Sequence, residues 1–185
     1  MKIFLALLWF FASSSALADS YYEMRIDRYD PISGLYYKAV EMDTEEHGFM
    51  SKSSSNEIIN LNIFDPSTGI STLLFKEPQQ DGIAVVLFET GFKDGSVEFN
   101  GSSSSGHLLN NAMLQKREPK NRLLVGVRNK KNKELVLFVS NKQGSGLSKL
   151  VTIPRTADWH IDAKNSKLRV VHQLGQGLKI ESYDW

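Results

Sequence analysis

Apolar and polar residues alternate at a period of two along most of the chain. Short runs rich in Val, Ile, Leu and Phe are divided by clusters of Gly, Asn, Asp, Ser and Pro. That pattern predicts successive β-strands. They are expected near 21–29, 34–42, 57–65, 70–76, 83–90, 96–100, 108–115, 122–128, 134–140, 147–153, 158–162, 167–174 and 178–184. No window of eleven or more residues carries a helical stripe; Leu108 to Lys116 comes nearest, and it is short and poorly capped. The turn chemistry agrees with strands. Asp94-Gly95 between two apolar runs is a hairpin signal, Asn129 to Asn132 separates Val127 from Leu135, and Gly175-Gln176-Gly177 divides the last two strands. Ser53 to Ser55 and Gly101 to Gly106 read as loops. Residues 19–185 are therefore expected to form a single all-β domain.

The opening residues follow a different rule. Met1-Lys2, the apolar run Ile3 to Phe11, Ala12-Ser13-Ser14-Ser15 and Ala16-Leu17-Ala18 have the three parts of a cleavable signal peptide in order. The apolar part is about nine residues, roughly half of the ~20 needed to span a bilayer. Cleavage is expected after Ala18, with residues 1–18 as signal peptide. The chain has no cysteine, which leaves neither a disulfide framework nor a thiol for lipid attachment. Small secreted eukaryotic domains usually rely on disulfides, so a cysteine-free exported domain points to the bacterial periplasm. Asn100-Gly101-Ser102, a glycosylation pattern elsewhere, reads there as a turn.

Charge narrows the partners. The chain carries 22 Lys and Arg against 21 Asp and Glu, and loss of Lys2 with the signal would balance them. Arg128, Lys130, Lys131 and Lys133 are the densest basic stretch, and Asn129 and Asn132 break it into a polar turn. Nucleic-acid binding calls for a basic face with stacking aromatics, and none is expected here. No second apolar run approaches spanning length, so no membrane segment is expected after cleavage.

One turn occurs twice. Tyr29-Asp30-Pro31-Ile32-Ser33-Gly34 and Phe64-Asp65-Pro66-Ser67-Thr68-Gly69 share aromatic-Asp-Pro-x-[Ser/Thr]-Gly at a spacing of thirty-five residues. Each reads as a strand end whose Asp caps a turn that Pro initiates and Gly closes. A looser version runs from Phe138 to Gly144, and Tyr183-Asp184 holds the same strand position. On Leu61 to Phe75, Glu134 to Ile153 and Trp159 to Trp185, the chain resembles bacterial β-propeller repeats of the TolB and WD40-like kind. The resemblance implies a small propeller-like array of antiparallel sheets. About thirteen strands would make three blades and part of a fourth, so a β-sandwich or barrel reusing one hairpin type is the alternative.

No catalytic constellation is expected. Gly101 to Gly106 has one residue too many for a nucleophile elbow and no helix behind it. The histidines His47, His107, His160 and His172 are never paired at metal spacing, and Asp43, Glu45, Glu46 and His47 read as solvated acid. No phosphate-binding glycine motif occurs, so neither metal nor cofactor is expected. Asp158 and Asp162 flank Trp159, but four residues apart on a strand they lie about 13 Å apart, too far for glycosidase carboxylates. His160 and His172, on neighbouring strands, have the option of facing each other across a hairpin.

The aromatics carry the remaining functional signal. Tyr21, Tyr22, Tyr29, Tyr36 and Tyr37 crowd the first strands, and Trp159, Tyr183 and Trp185 the last. Aromatics anchor interfaces, and they are also ordinary strand residues, for which core burial is the favoured reading. Tyr36, Tyr37, Trp159, His160, Tyr183 and Trp185 are the candidate binding residues. The expectation is a non-enzymatic periplasmic module that binds another protein, such as an inhibitor or immunity protein against a toxin or hydrolase. The alternatives are a carbohydrate or small-ligand binder, and a hydrolase whose site, around Asp158, His160 and His172, converges only in three dimensions.

Overall fold

The computed structural model describes residues 28–42, 57–102, 108–109 and 115–185. The expected signal segment, Tyr21, Tyr22, the Asp43 to His47 cluster and His107 lie outside them. Thirteen strands are described: β1 (Arg28–Tyr29), β2 (Tyr36–Met42), β3 (Glu57–Asp65), β4 (Ile70–Leu73), β5 (Ile83–Lys93), β6 (Ser96–Ser102), β7 (Leu108–Leu109), β8 (Leu123–Asn129), β9 (Glu134–Ser140), β10 (Ser148–Pro154), β11 (Ala157–Asp162), β12 (Lys167–Leu174) and β13 (Gly177–Asp184). No helix occurs among the described residues, and the fold is all-β.

The strands form three sheets, in the orders β1-β2-β3-β4, β10-β9-β8-β5-β6 and β13-β12-β11-β7. None closes into a barrel. All pairings are antiparallel except β7 with β11, where the chain leaves the second sheet after β6 and lends two residues to the third before returning as β8. The second sheet is the middle layer. Ile83, Val86 and Phe88 of β5 and Leu123, Val125 and Val127 of β8 pack against Tyr37, Leu61 and Ile63 of the first sheet. Val85, Leu87, Leu124, Leu137 and Ile153 pack the opposite way, against Trp159, Ile161, Leu168, Val170 and Trp185.

Burial on both faces explains why β5 and β8 read as continuous apolar runs, whereas β2 and β3 alternate. A register shift between Ile83 and Val85 lets Ile83 and Val86 share a face. Opposite Val85 stands Gly126, where a Cβ would come within 2.9 Å of the Val85 Cβ and 3.1 Å of Leu135 and Leu137 methyls. The glycine is required by close approach of strands.

The repeated turn forms twice in the same way. Asp30 accepts the Ile32 and Ser33 N–H groups through its carboxylate, and Gly34 donates to its carbonyl at 2.8 Å. Asp65 accepts the Ser67 N–H at 2.9 Å, and Gly69 donates to its carbonyl at 2.8 Å. Gly34 and Gly69 take φ of 75° and 70°, the left-handed region that favours glycine. The copies differ in surroundings: Asp30 is buried and Asp65 is not.

Candidate functional site

Among the described residues, the first sheet is covered on one face only. Along β2, Tyr37 points into the core and Tyr36 and Lys38 point out; along β3, Leu61 and Ile63 point in and Asn62 and Phe64 point out. Register then builds the outer face. Tyr29 lies opposite Tyr36, Tyr36 opposite Phe64, Phe64 opposite Ser71, and Lys38 opposite Asn62. Tyr29 and Tyr36 rings sit 4.8 Å apart and Tyr36 and Phe64 rings 6.5 Å apart, all tilted to one another. They wall an open cleft of about 530 Å³, which Arg28, Tyr37, Lys38, Asn62 and Ser71 also line. That volume lies within the range of small-ligand sites.

Two polar features of the cleft are unfinished. Among the described residues the lining holds two cations and no acid, and neither Arg28 nor Lys38 is ion-paired. The Asn62 side-chain oxygen is buried and accepts no hydrogen bond. A buried acceptor left without a donor costs about 1–3 kcal/mol. Tyr29 and Tyr36 are meanwhile 48 % exposed, large aromatic surfaces left to solvent.

The structure separates the candidate residues expected from the sequence. Tyr36 walls the cleft. Tyr37, its neighbour, is buried, stacks 4.7 Å from Phe88, and donates its hydroxyl to the Lys142 carbonyl at 3.0 Å. Burial, then the negative charge of Asp30, raises its pKa. Trp159 and Trp185 lie in the core between the second and third sheets, with Tyr183 packed against it and bonded to Glu181. His160 lies on the outer face of the third sheet, opposite Arg169. His172 pairs with Ala157 and faces inward with Leu168 and Val170, so the two histidines occupy opposite faces and do not meet. Asp162 is taken by Arg169, at 3.1 Å, and by Asn165.

A second cluster of titratable groups, unforeseen from the sequence, joins the three sheets. Glu89 of β5, fully buried, accepts both guanidinium nitrogens of Arg117 at 2.6 and 2.8 Å, the Lys120 N–H at 2.8 Å and the Trp185 indole N–H at 2.8 Å. Lys142, 2 % exposed, donates to the Glu89 carbonyl at 2.6 Å and pairs with Asp30 at 2.8 Å. Burial alone would raise both carboxyl pKa values; these hydrogen bonds and cations outweigh it and hold both below the usual carboxylate range. Both carboxylates have partners within the protein, and no described cleft opens on them. Such a fully satisfied network is a clamp between sheets.

Among the described residues no three His, Asp or Glu side chains converge as metal ligands. No sequence profile of a known family, no curated protein and no solved structure matches the chain. What fold and site define is a class: an all-β protein of three stacked sheets with an aromatic cleft on an outer face.

Proposed function

We propose that the chain is a non-enzymatic binding module, exported to the periplasm, that holds a carbohydrate or other small ligand in the cleft on its first sheet. The observation that carries this is the row Tyr29–Tyr36–Phe64, left exposed beside an unsatisfied Asn62 oxygen. A ligand with an apolar face would cover the first, and its hydroxyl would satisfy the second once the Asn62 amide turns toward the cleft. A third sheet packed on the second departs from a two-layer sandwich, and the propeller-like array is kept as the proposed architecture. Export rests on the reading of residues 1–18.

The test is a thermal-shift screen of residues 19–185 against neutral and acidic oligosaccharides, repeated with Tyr36→Ala. The reading expects at least one saccharide to raise the melting temperature of the wild type and to leave Tyr36→Ala unmoved. A screen without any shift, or a shift that survives the substitution, contradicts it.

A protein partner, such as a toxin or hydrolase held inactive, is favoured by a different observation. Leu174, Leu178 and Ile180 stand 60 %, 68 % and 55 % exposed on the β12–β13 hairpin. On this second reading, Leu178→Asp with Ile180→Asp abolishes a specific complex recovered from periplasmic extract, while Tyr36→Ala preserves it.

A further inference from the structure

The geometry points to an acidic saccharide as the occupant of the cleft: a sugar whose ring face lies on Tyr29, Tyr36 and Phe64, whose hydroxyl serves Asn62, and whose carboxylate or phosphate meets Lys38 and Arg28. This deepens the reading of the cleft as a small-ligand site and rests on it.

Three observations converge, and each ranks the classes of ligand. The aromatic row spans three strands, with rings 4.8 and 6.5 Å apart and mutually tilted, which makes a cupped apolar wall. A compact inorganic ion would leave that wall wet, so the ligand has an apolar face. The Asn62 oxygen, buried and accepting nothing, needs a donor. An aromatic or fatty carboxylate would cover the wall and meet the cations but leave that oxygen as unpartnered as it is in the free protein, whereas a hydroxyl also supplies a donor.

The charges favour an acidic sugar over a neutral one. Among its described lining residues the cleft has Arg28 and Lys38 and no acid, although acids and bases are nearly equal in number over the whole chain. Both signs are interspersed elsewhere: Lys130 pairs with Glu57, Lys167 with Asp184, Lys179 with Glu181 and Arg169 with Asp162. Two cations without an acidic partner among the described residues, around one concave aromatic surface, form a local positive field that an anionic group complements. Lys38 is the better placed of the two, directly opposite Asn62 on the neighbouring strand. Carboxylate and hydroxyl, which sit near each other on a uronic acid, would find their partners on one cross-strand pair.

Titration calorimetry of residues 19–185 tests this with trigalacturonate as the acidic probe, maltotriose as the neutral one and triglutamate as the acidic peptide. Trigalacturonate is expected to bind at least tenfold more tightly than either comparison. Lys38→Gln, an exposed substitution whose fold is verified by its melting temperature, is expected to weaken trigalacturonate severalfold and maltotriose far less. Added salt is expected to weaken trigalacturonate alone. Equal affinity for the two trisaccharides, indifferent to Lys38→Gln, overturns the acidic assignment and leaves the cleft as a sugar site. Triglutamate binding as tightly as trigalacturonate overturns the saccharide in favour of an acidic peptide. No heat from either trisaccharide at millimolar concentration overturns both the acidic assignment and the small-ligand reading beneath it.

Discussion

The indole nitrogen of Trp185 donates a hydrogen bond to Oε1 of Glu89 at 2.8 Å, joining residues ninety-six positions apart. Glu89 lies on the middle sheet and Trp185 just after the last strand of the third, both buried. The bond ties the end of the chain to a carboxylate that Arg117 already neutralises. Replacing Trp185 by Phe keeps an aromatic body and removes the donor. The expected cost is about 1–3 kcal/mol in urea denaturation. Combined with Glu89→Leu, which removes the acceptor, the loss should fall short of the sum of the single losses by roughly 0.5–3 kcal/mol, the range for residues in one network. Strict additivity would show that the contact carries no energy.

Lys142 is the second half of the clamp. Its ammonium bridges Asp30 of the first sheet's turn and the Glu89 carbonyl of the second sheet, and it stands 5.7 Å from the Phe88 ring centre. Lys142→Met leaves Asp30 buried without its cation, at a cost of about 3–5 kcal/mol. Adding Asp30→Asn removes the stranded charge, so the double variant is expected to be more stable than Lys142→Met alone. Circular dichroism melts of the three proteins decide it; a double variant less stable than the single one counts against the pairing.

The same carboxylates set the response to acid. Asp30 and Glu89 have depressed folded-state pKa values, against about 3.9 and 4.3 for unfolded Asp and Glu. Their stabilisation is complete above those unfolded values and is lost as pH falls through the folded ones. Stability contributed by this pair should therefore hold between about pH 7 and 5 and drop below about pH 4. Glu89→Gln should be less stable at neutral pH and show a shallower acid loss. Denaturation midpoints taken across that window measure both slopes, and parallel slopes would remove Glu89 from the acid response.

Gly126 makes a prediction about packing alone. A methyl there meets the Val85 Cβ and two leucine methyls at 3.1 Å or less. Gly126→Ala should cost about 1–3 kcal/mol as an overpacked core position. A denaturation midpoint equal to the wild type would mean the two layers can part without cost.

Strand positions were legible in the sequence because period two and turn residues are local. β3, β9 and β12 fall on the expected bounds, and the Asp-Pro turns form as their spacing indicates. The split of roles among aromatics was not legible. Tyr36 and Tyr37 are adjacent, so alternation places one on each face and does not say which. Trp159 and Trp185 look like binding residues by type and are core by position. The cleft needs β1 to β4 in register, a relation between residues as far apart as Arg28 and Ser71. The clamp had one visible sign, Glu89 closing the otherwise apolar run Ile83 to Phe88, a charge where both faces of a strand are buried. Nothing local marks Lys142 as its neighbour.

On the proposed function, the exposed aromatic row on the first sheet binds a ligand and the tryptophans of the core do not. Side-chain carbon–proton NMR spectra, recorded while trigalacturonate is added, distinguish the two. Shifts of the Tyr29, Tyr36 and Phe64 ring signals with one saturation curve are expected, while those of Trp159 and Trp185 stay in place. Shifts confined to the tryptophans or to Leu174, Leu178 and Ile180, with the three cleft rings unmoved, would contradict the proposed function.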